Sequence, residues 1–205
     1  MTPFETFLQD LDRLYAHQKP AGATKVGLRI LGSVALMIQT DYVRGTKDGD
    51  VLESVLINQT LKQALLGLGG KGTALANRNG IYLDFVASGI LFLPHASVFY
   101  PLLELSAALS CFNIEVMDIT DACVTKLKRF NGNDQADLAA MVRLGKLDHA
   151  PFLGRFLSAI DHCRGQAFSD DYPKIVERFH QVERDVFLMP ETHIDLRANP
   201  YETGN

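Results

Sequence analysis

The chain has 205 residues, 47% of them hydrophobic and 21% charged, enough to bury a core and too apolar for a disordered tail. Its formal net charge of -4 excludes a molecule-wide nucleic-acid footprint and confines any polyanion contact to a local basic patch. Three cysteines, Cys111, Cys123 and Cys163, lack metal-ligand spacing, which argues against a zinc site and predicts reduced thiols in a cytoplasmic protein.

The N-terminal stretch MTPFETFLQDLDRLYAH shows no basic segment followed by an apolar one. No apolar run reaches the roughly 18 to 20 residues that span a bilayer, so neither export nor membrane insertion is expected. Phe4, Phe7, Leu8, Leu11, Leu14 and Tyr15 recur at helical spacing behind Thr2 as N-cap and Pro3 as first helical residue, which predicts an amphipathic helix over 3–17. KPAGAT breaks it. KVGLRILG reads as a strand ending at Gly32 and SVALMIQTDYV as a buried helix, so strand, Gly-Ser and helix follow in order. VLESVLI is expected to be a strand, and NQTLKQALLGLGG a helix capped by Asn58 and stopped by its paired glycines. In GIYLDFVA, Ile81, Leu83 and Phe85 alternate with Tyr82, Asp84 and Val86, a strand pattern that puts Asp84 on the face of Tyr82.

YPLLELSAALS looks helical, and FNIEVMDI is one more strand. Beyond it the chain reads as helices: TDACVTKLKRF, stopped by Asn131-Gly132, then DQADLAAMVRLG with Asn133 as its cap, PFLGRFLSAIDHC, and YPKIVERFHQVERDVF. The polar tail ETHIDLRANPYETGN is expected to be loosely ordered. The pattern is α/β (α+β): a core with its N-terminal helix over 1–118, and a helical region over 119–205 packed on it. The six histidines show no ligand spacing, and no G-x-S-x-G elbow points to a hydrolase.

The chemistry centres on VRGTKDGDVL. Two aspartates two positions apart on a strand point the same way, so Asp48 and Asp50 can share a cation. Magnesium prefers carboxylate and phosphate oxygens and is usually held by one or two protein carboxylates plus substrate phosphates. A third carboxylate on a neighbouring strand allows a second metal about 3.5 to 4 Å away, and Asp84 is the natural candidate. Gly32 and Ser33, where a strand meets a helix, suit a phosphate, because the helix start offers unpaired N–H groups and glycine permits close approach. Each piece alone has a plainer reading. Asp48-Gly49-Asp50 makes a good turn, and Asp84 a good solvent-facing acid. Lys126, Lys128 and Arg129 suit a solvated helix face, and Asp134 and Asp137 suit a first helical turn.

Taken together, ILGS, TKDGDVL and YLDFV resemble the nucleotidyltransferase superfamily with the polymerase-beta-like core, whose signature is a strand, Gly-Gly or Gly-Ser, a helix, Asp-x-Asp and a later Asp on another strand. RGTKDGD followed by VTKLKRFNGNDQADLAAMV is most similar to the bacterial minimal nucleotidyltransferases of the AbiEii and MenA toxin type, over roughly residues 25 to 145. The resemblance implies a nucleotidyltransferase-like mixed sheet flanked by helices and a transfer of a nucleoside monophosphate from a nucleoside triphosphate to a hydroxyl. It implies Mg2+ or Mn2+ on Asp48, Asp50 and Asp84 as the catalytic set. Nucleotide binding falls to Gly32, Ser33, Arg44, Thr46, Lys47 and Lys126, with Asp134 and Asp137 orienting Lys126 or closing the C-terminal helices onto the core. The implied acceptor is a transfer RNA end, a protein or a small molecule, and the implied partner an antitoxin or a second copy. Two features depart from the pattern: Gly49 replaces a hydrophobic residue between the aspartates, and fourteen residues separate Ser33 from Asp48. A weak or inactive nucleotide- or partner-binding protein on the same fold is the alternative they favour.

Overall fold

The computed structural model describes residues 2–54, 57–164 and 171–196. Helix α1 (Pro3–Ala16) opens with a reciprocal cap, Thr2 Oγ1 accepting from the Glu5 N–H at 3.2 Å while Glu5 accepts from the Thr2 N–H at 2.5 Å. There follow β1 (Val26–Ile30), α2 (Gly32–Gln39), β2 (Asp48–Leu52), α3 (Gln59–Gly69), α4 (Ala74–Asn79) and β3 (Tyr82–Val86). Strand β4 (Phe99–Pro101), α5 (Leu103–Ala108) and β5 (Phe112–Met117) complete the sheet, whose order is β3-β2-β1-β5-β4. It is mixed: β1 runs parallel to β5 and antiparallel to β2, while β2 and β3 are parallel. Helices α6 (Ile119–Arg129), α7 (Gly132–Arg143), α8 (His149–His162) and α9 (Tyr172–Val182) form the rest of the α+β fold.

Strand alternation sorts the sheet into two unlike faces. Leu28, Ile30, Val51, Leu83, Phe85, Phe112 and Ile114 point into a core shared with Phe4, Phe7 and Leu11 of α1 and Leu65 of α3. The opposite face carries Arg29, Glu115, Asp48, Asp50 and Asp84, and so is left polar. A second core begins where strands end, at Leu31, Leu52 and Val116. It continues through Leu127, Met141, Phe156 and Phe179 of the C-terminal helices, so those helices share apolar contacts with the sheet half.

Several sequence expectations change. Strand β2 starts at Asp48 rather than Val51 and ends at Leu52; of VLESVLI, Val55 and Leu56 lie outside the described residues. Helix α2 stops at Gln39, where Thr40 turns extended and its hydroxyl donates to the Leu36 carbonyl at 2.8 Å. Between α6 and α7, Phe130 takes the left-handed conformation (φ 53°), and Asn131, not Asn133, caps α7 in a capping box with Asp134. Residues 191–196 of the tail are pinned rather than loose. Buried Glu183 accepts from the Thr192 N–H at 3.0 Å and hydroxyl at 2.6 Å, and Ile194 and Leu196 pack on the second core. Residues 197–205 lie outside the described set. Helix α4 and strand β4 were not foreseen from the sequence. No helix among the described residues is long and apolar enough to cross a membrane.

Candidate active site

The polar face of the sheet ends in a cleft of about 470 Å³ lined by Gly32, Asp48, Asp50, Asp84, Lys126 and Arg129 among others. Register assembles the acids. Asp50 lies beside Asp84 and Asp48 beside Tyr82 in the parallel β2–β3 pair, so all four side chains leave one face. Thr46 Oγ1 donates to Asp48 Oδ1 at 2.7 Å, and the Phe85 N–H donates to Asp84 Oδ1 at 2.8 Å, fixing two of the three carboxylates. Burial, and then the charges of Asp48 and Asp84, push the Asp50 carboxyl up to about 6, against the pull of Lys126 and Arg129.

The chain crosses this acidic ledge as β1 gives way to α2. The Leu31 N–H donates to the Asp50 carbonyl at 3.0 Å, and Gly32 turns through φ +69°. Glycine is required there twice over, since a Cβ would meet Asp50 Oδ2 at 2.5 Å and the left-handed φ penalises any side chain. No side chain caps α2, as none caps α5, α8 or α9, whereas Thr2, Asn58, Asp118 and Asn131 cap α1, α3, α6 and α7. Its first-turn amides therefore lack a side-chain acceptor at the cap, and Gly32 at its start lies against Asp50.

Gly49 also has a packing reason. A Cβ on it would meet the Phe4 ring at 2.3 Å, so α1 fills from below the space that a hydrophobic residue occupies in the pattern. The strand is not loosened at Asp48 and Asp50, because Gly49 pairs with Leu83 in an unbroken register.

Behind the cleft lies a second cluster of acids with the opposite character. Asp137, fully buried, accepts from Ser33 Oγ at 2.6 Å, Lys126 Nζ at 2.6 Å and the Tyr42 hydroxyl at 2.8 Å. Arg44 Nη2 donates to Ser33 Oγ at 2.6 Å, and its Nε lies 3.1 Å from Asp137 Oδ1, an ion pair by distance whose N–H is not aligned for a hydrogen bond. Lys126, 4% exposed, lies 3.7 Å from Asp134 as well, and Asp134 takes a two-pronged bond from Arg129 at 2.9 Å on each oxygen. Burial alone raises the Asp134 carboxyl, but the Arg129 bond and the Lys126 charge outweigh it and hold it below the ordinary value. Burial and the bond to Asp137 push the Tyr42 phenol up to about 12.

The predicted residues therefore divide. Gly32, Asp48, Asp50, Asp84, Lys126 and Asp134 line the cleft. Ser33 and Asp137 sit behind it, Arg44 and Thr46 line a separate pocket while touching site residues, and Lys47 is exposed, with its carbonyl accepting from the Tyr82 N–H. Arg129, which the sequence suggests only as part of a solvated helix face, lines the cleft, and Tyr42 has no sequence signal as a site residue. Arg129 follows Lys126 by three positions, the spacing that puts it on the same helix face, whereas Tyr42 meets Asp137 across 95 residues and gave no local signal.

Among the described residues no three His, Cys, Asp or Glu side chains stand close enough together to cage a metal by themselves. The donor set still suits a hard cation: three aspartates, one with a raised proton affinity caused partly by the other two, share an open cleft. No curated protein and no solved structure matches the chain. The likeness to the AbiEii and MenA toxin type gains nothing from the comparisons, which reach the nucleotidyltransferases as a group. Residues 6–186, a span that contains every cleft residue, match the family described as nucleotidyltransferase of unknown function (DUF6036), and the protein belongs to that family.

Proposed function

We propose that the protein transfers a nucleoside monophosphate from a nucleoside triphosphate to a hydroxyl acceptor in a reaction dependent on Mg2+ or Mn2+. The observation that carries this reading is the placement of Asp48, Asp50 and Asp84 on one face of paired strands, opposite the uncapped start of α2. Asp48, Asp50 and Asp84 would hold the cation jointly with triphosphate oxygens, and the bound ion would supply positive charge at the reacting phosphate. The first-turn amides of α2 would receive phosphate oxygens across Gly32, whose missing Cβ permits the approach. Asp84, the most exposed of the three acids, would take the acceptor's proton as its oxygen attacks the α-phosphorus and pyrophosphate leaves. Lys126 and Arg129 would oppose the charge growing on that leaving group.

The acceptor is an RNA end, a protein or a small molecule, and a toxin–antitoxin setting with a protein partner belongs to the same proposal. Incubation with α-labelled nucleoside triphosphates and Mg2+, with cellular RNA in one arm and cellular protein in another, tests it. Label should enter one acceptor fraction with release of pyrophosphate, and Asp48→Asn should reduce the rate at least about 100-fold. Equal incorporation by that variant refutes the assignment. One observation favours nucleotide binding without transfer: Lys126 already answers two buried aspartates. Nucleotide-dependent thermal stabilisation with no pyrophosphate released even when a whole-cell extract supplies RNA, protein and small molecules together identifies that case.

A further inference from the structure

We infer that a second pocket, between the start of α1, α2 and residues 44–46, binds a compact, uncharged, apolar molecule of one or two rings and relays its presence to the cleft. The pocket measures about 220 Å³, with walls from Phe4, Val34, Met37, Ile38 and Ile81. An apolar cavity of about 150 Å³ is enough for benzene, so the volume fits a ring-sized guest and excludes a nucleotide.

Its polar rim defines the charge of the guest. Among the described residues Arg44 is the one charged lining side chain, and it already pairs with Asp137. The Thr2 hydroxyl is engaged by the Glu5 N–H, the Thr46 hydroxyl by Asp48, and the Asn79 amide by the Leu75 carbonyl. An anion entering here would shed its hydration without meeting a free counter-charge, whereas an apolar ring loses nothing and covers apolar wall.

The relay is the wall itself. Arg44 reaches Ser33 at 2.6 Å, and Thr46 reaches Asp48 at 2.7 Å, so the segment that closes the pocket also grips one residue behind the cleft and one within it. A guest that shifts residues 44–46 changes the cleft's affinity for nucleotide, and nucleotide must change the guest's affinity by the same factor. This coupling rests on the nucleotide reading of the cleft. Occupancy of the pocket does not.

Indole serves as the probe. In the absence of nucleotide it should raise Tm saturably by about 2 to 4 °C and give saturation-transfer NMR signals that titrate over the same concentrations. Met37→Trp and Ile38→Phe, which fill the pocket, should melt cooperatively and lose both responses. A flat titration of the unaltered protein overturns the proposal, and so does an undiminished response in whichever filled variant folds. Saturating indole should change the Kd of magnesium-ATP at least about twofold, with the reciprocal change in indole affinity. An unchanged Kd overturns the relay. If ATP does not bind at all, the relay falls together with the reading of the cleft, while the indole titration alone still decides occupancy.

Discussion

Two groups of aspartates lie at and behind one cleft and are treated in opposite ways. Asp134 and Asp137 are buried and answered at once by Lys126, Arg129, Arg44, Ser33 and Tyr42, which makes them part of the frame. Asp48, Asp50 and Asp84 share an open cleft, where among the described residues no basic side chain lies within ion-pairing distance of any of them. The proton affinities follow: Asp134 is held down by its partners, and Asp50 is driven up to about 6. A protein tolerates such an uncompensated group where a ligand supplies the missing charge, and that is the physical content of the proposed cation site.

The largest expected effect comes from breaking the compensated group. Asp137→Asn leaves the Lys126 ammonium with the Ser33 hydroxyl and, as ion-pair partner, the more distant Asp134, and should cost about 3 to 5 kcal/mol in urea unfolding. A loss below about 1 kcal/mol would mean that the buried cluster contributes little. Asp50→Asn should act in the reverse direction on stability, raising it by on the order of 2 to 3 kcal/mol at neutral pH while abolishing nucleotide transfer.

The pH dependence sharpens the contrast, because the two shifts have opposite signs. Below the ordinary value of 3.8 both folded and unfolded chains hold the Asp50 proton, and the residue costs nothing. As pH rises toward about 6 the unfolded chain ionises while the folded chain resists, so stability from this residue falls and stays low above that point. Asp134 contributes stability above 3.8 and loses it as pH falls through its depressed folded value. Comparing the unaltered protein with Asp50→Asn by denaturation between pH 4 and 7 should show a stability gap that widens with pH. A constant gap would contradict the burial and repulsion assigned to Asp50.

Gly49→Ala should cost about 1 to 3 kcal/mol through collision with the Phe4 ring, and Phe4→Leu in the same chain should recover part of the loss. Purely additive losses would show that the two residues do not meet. Tyr42→Phe, which deletes one of several donors to Asp137, should cost about 1 kcal/mol in the same assay, and a loss as large as that of Asp137→Asn would misplace the centre of the cluster.

What could be read from the sequence follows the range of the interactions. Alternation in GIYLDFVA and the Asp48–Asp50 spacing are local, and they suffice to orient three carboxylates to one face. The order of elements and the helical C-terminal region were equally legible, since long amphipathic runs such as YPKIVERFHQV carry their own period. Short pieces were not: the three residues of β4 are held by pairing with β5, and the six of α4 complete too few turns to show a stripe. The inward turn of Ser33 and the collar around Asp137 depend on partners about 95 to 105 residues away, which no spacing rule reveals. Gly49 looked like a weakness for the same reason, because its partner is Phe4 on another element.

The most direct test is an electron paramagnetic resonance titration of Mn2+ with a non-hydrolysable ATP analogue present. The account predicts roughly stoichiometric bound Mn2+ in the unaltered protein and at least about tenfold weaker binding in both Asp48→Asn and Asp50→Asn. Equal Mn2+ affinity in all three proteins would contradict it.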